Sequence, residues 1–262
     1  MNESRVSAGR VFLALLRRDI TVARRELVFF LIRTTMQPLL FTIIFGYLMP
    51  RMGLLGKGYG AMMLPGVLAL SLTMSAIMSV SMPMVVEFGH TKEIEDRLLA
   101  PVPNQIVAIE KIVAGTIQGI IAALFVLPVA RLIMGPIAGL SFANFGIIVL
   151  MTVLGGATFS AIGLVLGTAF PPQQVGMMFS IVLAPMMMFG CAYYPWQGLR
   201  AVPVLKWAVL INPLVYVAEG LRGALTPSIP HMPLLASSLA LVALTLLFTM
   251  LGLRTFMKRA VS

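Results

Sequence analysis

The sequence predicts an all-α integral membrane protein: six transmembrane helices, an amphipathic interfacial helix ahead of them, and two short external re-entrant helices between spans five and six. Three observations lead there. Of 262 residues, 59% are hydrophobic and 11% charged, where ordinary soluble domains carry about 25% charged residues. Uncharged stretches of spanning length recur along the whole chain, as in Leu234–Leu253, LLASSLALVALTLLFTMLGL. No polar block divides them into a soluble domain and an anchor, so residues 1–262 read as one membrane domain.

Residues 7–27 come first. Phe12, Leu13, Leu16, Ile20, Ala23 and Leu27 share one helical stripe. Arg10, Arg17 and Arg24 lie on another, with Arg18 and Arg25 beside them. Such a basic amphipathic helix binds a membrane interface by apolar burial and by attraction to anionic lipid. Asp19 and Glu26 interrupt the basic face and are expected to be solvated. The patch Val11–Leu16 is too short, and too soon followed by Arg17 and Arg18, for a secretory signal.

The spans follow at 27–50, 59–86, 105–134, 141–170, 174–195 and 234–256. Arg33 in the first and Lys111 in the third lie near span ends and are expected to snorkel to the interface. Residues 196–233 form an external segment whose apolar middle is broken at Asn212-Pro213. Proline lacks a donor and disfavours helix in the residue before it, so two short helices meet there. Tyr193, Tyr194, Trp196, Trp207 and Tyr216 fit an interfacial aromatic belt.

A net charge of +10 would point to nucleic acid in a soluble protein. Here it reports topology, because cations collect on the cytoplasmic side. With the N-terminus inside, eleven Lys and Arg fall on the inner side and six on the outer. Both termini and the loop 88–103 are therefore expected in the cytoplasm, with the chain in the inner (cytoplasmic) membrane.

Few residue groupings carry chemistry. GLLGKG at Gly53–Gly58 lacks the spacing of a phosphate loop and the Ser or Thr after its lysine. His90 with Glu93 and Glu95 has no second His or Cys beside it, so a solvated charged face explains it better than a metal site. Met186, Met187 and Met188 with Cys191 invite a copper reading. The chain has 20 methionines throughout, however, and Met is a flexible filler of packing gaps. Single Cys191 excludes an intramolecular disulfide. Neither a metal nor a catalytic residue is expected. No carboxylate relay crosses the membrane, which counts against a proton-coupled pump. Gly115-x-x-x-Gly119 in span three and Gly163-x-x-x-Gly167 in span four allow close helix approach, where lipid supplies no hydrophobic drive to pack.

One charged island remains, Glu87 to Pro103, EFGHTKEIEDRLLAPVP. It holds Glu87, Glu93, Glu95 and Asp96 of the nine acids in the chain. Thr91 is a plausible N-cap, the acids favour the positive end of a short helix, and Pro101 stops it. Ile94, Leu98 and Leu99 fall on one side, and the acids with Arg97 largely on another. An exposed apolar edge on a cytoplasmic helix suits docking of a soluble partner.

These residues resemble those of an ABC-2-type transporter permease. EIEDRLLAPVP followed by Lys111 is similar to the family's stretch between spans two and three. INPLVYVAEGLRGAL resembles its Pro-Leu-x-Tyr-x5-Arg ending, here Pro213, Leu214, Tyr216 and Arg222 with Glu219 between them. FPPQQVGMMFSIVLAPMMMFGCAYYPWQGLR resembles its fifth span and exit. The resemblance implies a homodimer of permeases with two ABC ATPase subunits, ATP and Mg residing on those partners. Glu93, Ile94, Glu95, Asp96, Arg97, Leu98, Leu99 and Pro101 would be the coupling helix seated on the ATPase. Arg17-Arg18-Asp19 and QPLLFTIIFGYLMP look closest to the drug and nodulation-factor exporter branch, which implies outward movement of an amphipathic or hydrophobic substrate (drug, lipid or glycolipid). A polysaccharide or O-antigen exporter permease is the alternative. An integral-membrane lipid enzyme would need a polar catalytic cluster at membrane depth, which the sequence does not offer, and a structural scaffold would associate with no ATPase.

Overall fold

A computed structural model describes residues 8–25, 27–56, 58–91 and 103–261. Among the described residues there is no strand, and nine helices carry the fold. They are α1 (Ala8–Arg25), α2 (Leu27–Arg51), α3 (Tyr59–Val86), α4 (Asn104–Met134), α5 (Phe145–Ala169), α6 (175–188), α7 (Pro203–Ala208), α8 (Pro213–Leu225) and α9 (Leu234–Val261). Five of these, α2, α3, α4, α5 and α9, are long and apolar enough to cross a membrane; α7 with α8 would make a sixth only if the bent pair were one span.

Burial orders the bundle. The most apolar window of α3 is 89% buried and that of α9 is 11% buried, so α3 is the central post and α9 lies at the periphery. α4, α5 and α8 surround α3 and share its core, which includes Met63, Leu64, Leu70, Leu72, Ile77, Val126, Phe159 and Val217. Small residues set the spacing. A Cβ on Gly163 would stand 2.8 Å from the Ile77 carbonyl oxygen, and one on Gly167 would stand 2.8 Å from that of Ser81. Gly119 faces the Leu72 carbonyl at 3.0 Å, and Gly115 faces the Val80 and Ser160 side chains. All four glycines thus lie at helix crossings within the chain.

Hydroxyl pairs link α5 to peripheral α9. Thr158 and Thr245 meet at 2.7 Å, and the Thr168 hydroxyl donates to Thr255 at 2.8 Å. Interhelical hydrogen bonds of this kind replace the hydrophobic drive that lipid cannot give.

The expected fifth span, 174–195, is not one continuous helix. α6 covers 175–188 only, with a π-helical middle, Phe179–Leu183, and Pro185 within it. At about 1.5 Å per residue its length is roughly 21 Å, short of a hydrocarbon core of about 30 Å. Chain direction then changes through 189–195, where Cys191 takes a left-handed φ of 54°. The physical reason is local: Pro171 and Pro172 delay the start, and the turn is captured by the helices beyond it.

α1 and the C-terminal end of α9 lie at one end of the bundle. Arg259 near the C-terminus donates to the carbonyls of Thr168 and Phe170 at the end of α5. Asp19 of α1 reaches Lys111 at the start of α4. The segment 189–233 caps the opposite end.

Candidate functional site

At the capped end the site is built around one buried ion pair. Asn212 begins α8 as N-cap: its side-chain oxygen accepts from the Leu214 N–H at 3.0 Å, and Pro213 follows at the first helical position. The Asn212 amide also donates to the Met186 carbonyl at 2.6 Å, tying α6 to the hairpin. These two bonds fix a bend of 101° between the paired helices Pro203–Ile211 and Pro213–Leu225. Tyr216 locks the bend from inside α8, its hydroxyl donating to the Leu210 carbonyl at 2.7 Å.

Six and nine residues into α8, Glu219 and Arg222 are both fully buried and bonded to each other. Arg222 also donates to the carbonyls of Cys191 at 2.9 Å, Ala192 at 3.4 Å and Met62 at 3.2 Å. Glu219 accepts from the backbone N–H groups of Trp196 at 2.9 Å and Met232 at 2.8 Å. Two side chains therefore hold together α3, the 189–195 turn, the hairpin and the approach to α9. The left-handed turn at Cys191 has a use, since it helps aim consecutive carbonyls at one guanidinium. Gly66 of α3 completes the contact: a Cβ there would overlap the Ala192 carbonyl. Each buried polar atom in this set has a partner, the condition under which buried charge is tolerated.

A second ionic site occupies the terminal end, and it corrects two expectations. Lys111 does not snorkel. It is 4% exposed, donating to Asp19 at 2.7 Å and Glu87 at 3.2 Å. Asp19, expected in solvent, instead reaches inward from α1. The basic face of that helix explains the arrangement, because Arg17, Arg18, Arg24 and Arg25 remain exposed while Asp19 turns toward α4. Glu87 begins a π-helical extension of α3, Glu87–Thr91.

Between these ends lies an apolar groove of about 600 Å³. Its walls include Ile162 and Leu166 of α5, Val182 and Met186 of α6, Leu205 and Ile211 of the hairpin, and Phe248 of α9. Asn212 is the one polar side chain in the lining, and its amide is already engaged. The volume falls within the usual range for small-molecule sites, about 300–1,000 Å³.

Of the residues singled out from the sequence, Pro213, Tyr216, Glu219 and Arg222 come together at the capped end. Glu93, Ile94, Glu95, Asp96, Arg97, Leu98, Leu99 and Pro101 lie outside the described residues. Asp19, Glu87 and the partnership of Lys111 were missed as a group. Their signal in the sequence was slight: an acid breaking a basic face, and a lysine just inside an apolar run. Among the described residues, no cluster of His, Cys, Asp and Glu is arranged to hold a metal.

Apolar helices, a hairpin bent at Asn-Pro and an Arg222 locked to backbone carbonyls are the setting for the sequence comparison. The ABC-2 type transporter family matches residues 10–226. The chain belongs to this family. It is thus an ABC transporter permease, a membrane subunit of a class that works with an ABC ATPase. No curated protein gives a significant sequence match to it. The ABC-2 match ends one residue beyond α8, so the hairpin and its ion pair lie within the family region while α9 lies outside it.

Proposed function

We propose that this ABC-2 permease exports an amphipathic or hydrophobic molecule, driven by ATP hydrolysis on a separate ATPase subunit. Two copies of the chain pair in the inner membrane with two ATPases, which carry ATP and Mg. The termini and the 88–103 loop face the cytoplasm. Residues Glu93–Pro101 form the coupling helix in a groove of the ATPase, and α1 rests on the lipid interface through Arg17, Arg18, Arg24 and Arg25. Closure of the ATPase dimer pushes the coupling helix, and the packed spans carry that movement toward the hairpin.

The observation that carries the substrate class is the groove between α5, α6, α9 and the hairpin. Its walls are apolar and its one polar side chain, Asn212, already bonds to Met186 and Leu214, so it rewards an alkyl or aromatic surface and would leave most hydroxyls of a sugar without partners.

The test uses the permease co-purified with its ATPase in lipid nanodiscs. Long-chain amphiphiles are expected to stimulate ATP hydrolysis, and oligosaccharides are not. Stimulation by oligosaccharides alone would replace this reading with the polysaccharide one. Reversing charge with Glu95→Lys and Asp96→Lys is expected to abolish the stimulation without lowering folded yield. Stimulation that survives it would remove the coupling role.

A further inference from the structure

The stretch Glu87–Thr91 is where the central helix α3 leaves the bundle toward residue 92, and three consecutive residues in it are each gripped by a different part of the protein. Glu87 accepts from Lys111 of α4 at 3.2 Å, and the same ammonium donates to Asp19 of α1 at 2.7 Å. Phe88 meets the Phe256 ring of α9 edge-on at 5.7 Å, with the Arg259 guanidinium 5.2 Å from its centroid. Gly89 sits against the Pro172 ring, which a Cβ at that position would overlap. Arg259 and Pro172 are themselves joined through the end of α5, where Arg259 donates to the Thr168 carbonyl at 2.7 Å and the Phe170 carbonyl at 3.3 Å. The segment is π-helical, a form that occurs mostly as single turns within α-helices and is frequent at functional sites.

We infer that Glu87–Gly89 is the node through which movement of the 93–101 segment reaches the spans, with Lys111 as its positioning residue. The inference rests on the reading of 93–101 as the docking segment. Its physical basis is that close-packed contacts transmit displacement instead of absorbing it. Residues 87–89 cannot shift without moving α1 and α4 through the ammonium, α9 through Phe256 and Arg259, and the α5–α6 link through Pro172. Lys111 is the joint between α1 and the node, with one charged atom held by a carboxylate on each side. An ammonium in this position sets where the two acids stand relative to each other, which an apolar side chain of similar length does not do.

The experiment follows hydrogen–deuterium exchange over residues 203–225 in the permease–ATPase complex in nanodiscs, with and without ATP plus vanadate. The native complex is expected to show an ATP-dependent difference there. Lys111→Met combined with Asp19→Asn and Glu87→Gln removes all three charges of the two ion pairs that Lys111 makes. This triple variant is expected to keep ATP hydrolysis and to lose at least about five-fold of the exchange difference, the lower end of ordinary coupling between distant sites. Lys111→Arg, which keeps the charge, is expected to retain it. Gly89→Ala alters no charge and is expected to reduce the difference as well, so it carries the test if the triple variant yields little complex. A native-sized difference in these variants, even with lowered thermal stability, overturns the node and leaves Lys111 a structural residue. If Glu95→Lys/Asp96→Lys keeps the difference, the docking reading falls and the node falls with it. If that variant loses the difference while the triple variant keeps it, the node alone is wrong.

Discussion

The two ends of the bundle both bury charge, but they use it differently. At the capped end, Glu219 and Arg222 belong to one helix and spend most of their hydrogen bonds on backbone groups of other elements. At the terminal end, Lys111 bonds, among the described residues, to side-chain carboxylates, one from α1 and one from the extension of α3. Backbone partners cannot be substituted, so the first arrangement welds the hairpin to α3 and the 189–195 turn. Side-chain partners turn about their own bonds, so the second arrangement is a joint that can pivot while its contacts hold. A transporter driven from one end needs both: a body that moves as a unit and a hinge at which it is pushed.

The largest expected effect tests the weld. Arg222→Met leaves Glu219 charged and buried, with several carbonyls deprived of a donor. Removing one member of a buried pair costs about 3–5 kcal/mol. Thermal unfolding of the purified permease should show a drop of that size. Adding Glu219→Gln should recover little, because the carbonyls of Met62 and Cys191 stay unpaired in either case. Substantial recovery would mean the backbone contacts matter less than the charge balance.

The joint should behave otherwise. Lys111→Met alone is expected to cost about 3 kcal/mol, the lower part of the same range, since Asp19 and Glu87 keep side-chain exposures of 14% and 9%. Neutralising both acids as well is expected to return most of that stability, measured in the same melt. Recovery at Lys111 without recovery at Arg222 is the signature of joint against weld. Equal behaviour at both ends would erase the distinction.

A third expectation sharpens the geometry of the weld. Gly66→Ala places a Cβ on the Ala192 carbonyl, a backbone atom held in turn by Arg222. Overpacking against a fixed atom costs about 1–3 kcal/mol. Exchange at residues 191–196 should rise with it. A native melt for this variant would show that the turn yields more readily than its hydrogen bonds imply.

How much of this the sequence disclosed depends on the range of the contact. Helix identity, the hairpin break at Asn212-Pro213 and the place of Arg222 in a motif are local signals of periodicity, proline and sequence pattern, and they were legible. The partners of Arg222 were not, because a carbonyl at Met62 lies 160 positions away and any residue type supplies one. Lys111 and Asp19 are 92 positions apart, and each alone looks like an interfacial charge. α6 was overestimated because an uncharged run of spanning length records apolarity and not continuity. The turn at Cys191 decides where the helix stops.

The smallest effect concerns neither end but the wall between them. Thr158 and Thr245 meet at 2.7 Å, and each hydroxyl also lies within donating distance of a carbonyl four residues earlier in its own helix, so whichever donates across the pair gives up that local bond. A hydroxyl with a local acceptor never becomes an orphan when its partner is lost, so Thr245→Val removes one exchangeable bond and leaves Thr158 satisfied. Interhelical side-chain bonds of this kind average about 0.6 kcal/mol, and a double-mutant cycle of Thr158→Val and Thr245→Val should return a coupling near that value. A coupling well above it would make α9 an integral wall of the bundle. A value near the expected one makes the hydroxyl pair a small part of the packing of α9 against α5 and α8.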